Sequence, residues 1–148
     1  MAARPSPKWQ CPKCGRRFAR ARQAHSCQVV PLATHLRKAS AEVRRIYHAL
    51  LQAIRDVGPV QAVPTKTGIN LLSGTSLGGI GLHRDFADVG LVLTRRVDHP
   101  RIMSVLQISR RSYVHRVRVR SASEVDGQLR TWLREAYQVG LLAGRRPP

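Results

Sequence analysis

The stretch SAEVRRIYHALLQAIRDVGP, residues 40–59, decides how the chain is built. Within it Val43, Ile46, Tyr47, Leu50, Leu51, Ile54 and Val57 recur at i, i+3, i+4, i+7, i+8, i+11 and i+14. That spacing gathers them on one face of a 3.6-residue helix. Ser40 supplies an N-cap oxygen, Gly58 a residue able to end the helix in a left-handed conformation, and Pro59 a stop. Beyond Pro59 the period changes. Short apolar or alternating runs fall at 60–63, 68–72, 77–82, 88–94 and 114–120, with 103–109 as a candidate sixth strand. Gly74, Gly78, Gly79, Gly81 and Pro100 punctuate them. A second helix is predicted from Ser123, with Ser123 and Asp126 as a capping-box-like pair and Gly140 at its end. Val125, Leu129, Trp132, Leu133, Ala136 and Tyr137 form its apolar face. Helix, meandering strands and helix predict an α+β domain over residues 40–142, its mostly antiparallel sheet of about five strands covered on one face.

Upstream of this domain, residues 28–39 read as a linker or packed connection, residues 1–8 as a disordered tail, and residues 9–27 as a metal module. All three cysteines lie between positions 11 and 27. An odd number of thiols cannot all pair within one chain, and a clustered Cys/His set points to metal. Cys11-Pro12-Lys13-Cys14-Gly15 is a knuckle whose two intervening residues let both sulfurs reach one ion. Gly15 permits the tight turn beneath them. His25 and Cys27 complete a tetrahedral set, provided the chain runs extended there, because i and i+2 on a helix point about 200° apart. His35 is the competing fourth ligand. Four protein ligands leave no open position for water, so one structural Zn2+ is expected.

The charge is lopsided: 26 Lys and Arg against 8 Asp and Glu, a net +18. Residues 1–45 hold 11 basic and 1 acidic residue; residues 46–148 hold 15 and 7, ending in a basic tail at 143–148. Arginine outnumbers lysine 22 to 4, a choice that a GC-rich genome accounts for, but that bias accounts less well for a net charge of this size. Such an excess attracts polyanions, chiefly nucleic acid. Candidate phosphate contacts are Lys13, Arg16, Arg17, Arg20 and Arg22 in the finger, and Arg116, Arg118 and Arg120, which strand alternation sets on one face with His115, Val117 and Val119 on the other. Arg110 and Arg111 would extend that row. No apolar run reaches the length of a membrane span, and the N-terminus shows no apolar signal core, so a cytoplasmic protein is expected.

Catalytic motifs do not survive inspection. His83-Arg84-Asp85 copies a kinase catalytic loop without the accompanying elements. Gly74-Thr75-Ser76-Leu77-Gly78-Gly79 lacks the lysine of a phosphate loop and reads as a hairpin turn. Asp85 and Asp88 read as surface carboxylates, and Ser112, His115 and Asp126 have no elbow motif to assemble a triad.

His25-Ser26-Cys27, His35-Leu36, Gly58-Pro59-Val60, Pro64, Lys66-Thr67, His115-x-Val-x-Val and Trp132-Leu133-x-x-Ala136-Tyr137 together resemble a bacterial domain-of-unknown-function family, numbered 5655. The resemblance covers residues 35–142. Some members carry a Trp-x-Cys-x2-Cys-Gly-Arg-x-Phe…His-Ser-Cys module in front. It implies a compact α+β domain without an assigned activity, in company with nuclease-like regions; no catalytic residue is carried over. The glycines of 73–81 depart from the alternating strand that the family implies. The expectation is therefore a non-enzymatic zinc-containing protein that binds nucleic acid, with an adaptor domain stapled by zinc as the alternative.

Overall fold

The computed structural model describes residues 9–13, 17–18, 22, 27 and 30–143. Strands β1 (Trp9–Gln10) and β2 (Arg17–Phe18) pair antiparallel, with Trp9 opposite Phe18. Helix α1 (Leu32–Lys38) occupies part of the segment expected to be a linker or packed connection. It is short, and tertiary contact holds it: the buried His35 ring places Nε2 2.9 Å from the Thr65 carbonyl, to which it donates. The Val30 amide reaches the same oxygen. His35, the competing metal ligand, is therefore seated in the α+β domain.

Helix α2 (Ala41–Arg55) follows the predicted periodicity. Val43, Ile46, Tyr47, Leu50, Leu51 and Ile54 are buried, as is Ala53, and Ser40 Oγ accepts the Val43 amide as N-cap. Gly58 does not take the expected left-handed conformation; among the described glycines only Gly78 has a positive φ. A Cβ at Gly58 would collide with the Tyr137 hydroxyl, which donates to the Pro59 carbonyl at 2.7 Å. The glycine makes room for a cross-link from the C-terminal helix to the segment that follows α2.

Among the described residues the larger sheet has six strands, so the candidate sixth is real. They are β3 (Gln61–Pro64), β4 (Ile69–Leu72), β5 (Ser76–Leu82), β6 (Ala87–Leu93), β7 (Ile102–Ser109) and β8 (Ser112–Val119). All neighbours pair antiparallel in the order β3-β4-β5-β6-β8-β7. Because β8 returns between β6 and β7, residues 94–101 must cross the sheet's end. Fully buried His115 pins that crossing: its Nε2 accepts the Val97 amide at 2.9 Å, leaving Nδ1 to donate to the Tyr113 carbonyl.

A 3-10 turn at Ala122–Glu124 precedes helix α3 (Gly127–Ala143). Asp126, not Ser123, caps it, accepting the Leu129 amide at 3.1 Å, while Ser123 bonds Ser121. Nor does Gly140 end the helix, which runs to Ala143. Helices α2 and α3 cover one face of the sheet. Their apolar sides meet Ile69, Leu71, Leu77, Ile80, Ala87, Val89, Leu91, Leu93, Val117 and Val119 in one core. Among the described residues no helix is long and apolar enough to cross a membrane.

Candidate functional site

Strand alternation that buries Ala87, Val89 and Leu91 must turn Asp88 and Gly90 to the opposite face, and likewise for Val117 and Val119 against Arg116 and Arg118. No described element covers that face. Register puts Asp88 directly across from Arg118 and one step diagonal to Arg116. Arg118 donates through Nε to Asp88 Oδ1 at 2.9 Å, and Arg116 through Nη2 to Oδ2 at 2.6 Å. Asp88 is only 8% exposed, so it is not the surface carboxylate expected from the sequence. Burial alone would raise its pKa, but hydrogen bonds from Arg118 and then Arg116, with their charges, outweigh it and hold the carboxyl below its ordinary value. The same bond holds the Arg118 guanidinium above its ordinary value.

Phe86 completes the cluster from the turn before β6. The Arg118 guanidinium lies 3.9 Å from its ring centroid and the Arg120 guanidinium 5.7 Å away, while His83 stacks on it at 4.5 Å. The predicted row is therefore real for Arg116 and Arg118, and Arg120 joins it just past the strand's end. Arg110 and Arg111 do not extend it; they occupy the β7–β8 turn at the other end of β8.

Next to the cluster the open face is bare. Gly79 pairs with Gly90, Gly81 with Asp88, and Asn70 with Gly79. Together they floor a groove of about 850 Å³, walled towards β7 by Val92, Val114, Leu106 and Arg116. Glycine inside a strand is unfavourable by roughly 0.5–1 kcal/mol relative to alanine, so its presence needs a reason. At Gly78 the reason is local, since φ is +143° and a Cβ would collide with the Gly90 carbonyl. At Gly81 and Gly90 packing gives none: the nearest atoms to a Cβ are His83 Nε2 at 3.7 Å and Val114 Cγ1 at 3.4 Å, ordinary contacts. Interior glycines of this kind mark places where a ligand or another backbone comes close. The paired signal in the sequence was Gly79 and Gly81 at a strand period, with Gly90 two residues after an aspartate.

In the N-terminal module, Cys11 is buried and its Sγ stands 3.6 Å from Cys27 Sγ. A disulfide holds its sulfurs about 2.05 Å apart, so this is a pair of thiols. Two thiolates bonded to one tetrahedral zinc at about 2.3 Å stand roughly 3.8 Å apart, which the observed separation matches. Cys14 and His25 lie outside the described residues, as do Arg16 and Arg20. Lys13 and Arg22 are exposed, and Arg17 lies in β2. Among the described residues no three metal-ligating side chains cluster.

Comparison with known proteins gives a family and no more. No curated protein and no solved structure matches the chain. The family described as a domain of unknown function (DUF5655) matches residues 32–140, from α1 through the end of the α3 core, and the chain belongs to that family.

Proposed function

We propose that the chain is a non-enzymatic nucleic-acid-binding protein whose N-terminal finger holds one structural Zn2+ through Cys11, Cys14, His25 and Cys27. The observation that carries the reading is the open face itself: Arg116, Arg118 and Arg120 stand together there, oriented by Asp88 and Phe86, on a chain of net charge +18. A guanidinium fixed by one carboxylate keeps further N–H donors for phosphate and loses little freedom on binding. The thiol separation at Cys11 and Cys27 supports the zinc, whose bonds would supply the stability that so short a segment cannot draw from burial.

Replacing Arg116, Arg118 and Arg120 together with Gln tests this reading. Asp88 offsets one of the three charges, so the plot of log affinity against log salt should flatten by about two units, near 0.9 per lost contact on duplex DNA. An unchanged slope would favour the second reading, a protein-interaction domain. That reading has its own observation: edge strand β7 has no charged residue and exposes Met103, Leu106 and Ile108.

A further inference from the structure

The groove on the open face is graded. At one end stand Asp88 and Arg116, with Arg118 and the Phe86–His83 stack just beyond them; in the middle lies the glycine floor; at the far end Val92 and Val114 meet Leu106. Neighbouring strands are about 4.8 Å apart and alternate residues about 6.7 Å, so Gly79, Gly81 and Gly90 leave a bare patch close to the size of one planar ring system. Asn70 borders it on β4, its side-chain oxygen held by Ser76 Oγ at 2.7 Å, and Arg116 borders it on β8, with Ser104 beyond on β7. A flat apolar surface between hydrogen-bonding rims, with guanidinium groups at one end, complements a nucleotide: ring face on the floor, ring edge at the rims, phosphate at the arginines. A duplex keeps its base faces stacked inside and cannot offer one to a floor; a single strand can.

We propose that this groove takes single-stranded nucleic acid, one base lying flat over the patch of Gly79, Gly81 and Gly90 while Arg116 and Arg118 hold the adjoining phosphate. The inference rests on the nucleic-acid reading above and adds the strandedness and the contact surface. It also accounts for the two glycines that packing does not require.

The test is fluorescence anisotropy on the zinc-loaded full chain, with labelled oligothymidylate of about a dozen nucleotides, within the site sizes of single-strand binders. A mixed-sequence duplex of the same length and free thymidine monophosphate are the comparison arms. The chain should prefer the single strand to the duplex by about tenfold or more, and the mononucleotide should compete only weakly. Gly90→Val, where a Cβ would meet Val114 Cγ1 at 3.4 Å and the Gly79 carbonyl oxygen at 4.0 Å, should abolish that preference while leaving the thermal midpoint equal or higher. Should Gly90→Val lower the midpoint, Gly81→Val decides instead, having still more room. Unchanged single-strand affinity in the deciding variant overturns the inference, as does equal binding of duplex by the unmodified chain. Equal affinity for the mononucleotide overturns it too, making the groove a small-molecule site. If neither strand form binds at all, the nucleic-acid reading itself has failed, a result distinct from these.

Discussion

Asp88 shows how one carboxylate can organise a surface of the opposite sign. Removing its charge leaves the guanidinium groups of Arg116 and Arg118, alternate residues on β8, with no carboxylate between them. Asp88→Asn should therefore destabilise the domain by about 1–2 kcal/mol at neutral pH, the order expected when one partner of a charge-assisted bond is lost. The pH dependence fixes the cause. The folded carboxyl titrates below its ordinary value. Its contribution is thus complete above the unfolded value of about 3.9 and fades as pH falls through the lower folded one. Urea unfolding of wild type and variant should diverge at neutral pH and converge in acid; a gap that persists unchanged in strong acid would assign the loss to packing. On the Asp88→Asn protein, polyanions should bind more tightly, since two guanidinium groups are released. The alternation of Val and Arg in 114–120 was readable because it is local. The partnership was not, because Asp88 sits 28 and 30 residues from its arginines and only sheet register brings them together.

At the scale of elements, helix α3 sets intrinsic propensity against packing at Gly140. Propensity alone makes Gly140→Ala favourable by about 1 kcal/mol in a helix interior. The β4–β5 turn argues the other way. Thr75 donates to the Gly140 carbonyl through both its amide and its hydroxyl, at 3.1 Å each, and Ser73 Oγ donates to the Tyr137 carbonyl at 2.9 Å. A Cβ at Gly140 would collide with Ser73 Oγ and come within 3.2 Å of the Thr75 carbonyl oxygen. Overpacking of this sort costs about 1–3 kcal/mol, which exceeds the propensity gain. Gly140→Ala should lower stability in a urea titration, and adding Ser73→Ala should recover part of the loss; strict additivity of the two would show that they do not interact. This is why a glycine read as a helix end proved to be a docking point: its reason lies in a turn 65 residues away. The long amphipathic helix and five of the strands were legible because hydrophobic period is written locally, and the sixth, β7, was only a candidate. Helix α1 was missed because seven residues are too few to show a period or to be stable alone, and it exists through His35 and Thr65.

For the molecule as a whole the question is whether finger and domain are energetically separate. Fewer than 20 residues at 9–27 bury too little to offset ordering, whereas the α+β domain closes its own core between two helices and a six-stranded sheet. The contacts near the junction, from Val30 and His35 to Thr65, lie on the domain side of Cys27. Stripping metal from the full chain with a strong chelator should therefore release about one equivalent of zinc and abolish amide protection at residues 9–27. The cooperative thermal transition of the domain should shift by no more than a few degrees. Cys14→Ser should reproduce the chelated state. A fragment beginning at Val30 should unfold like the domain of the intact protein, but one beginning at Ser40 should melt earlier, since it loses α1 and the buried His35 bond. That contrast would place the boundary at the start of α1 and not at residues 39–40; the family match begins at residue 32. If chelation instead unfolds the entire chain in one transition, finger and domain share a core, and the open face and its arginines would have to be reinterpreted as part of a zinc-dependent whole.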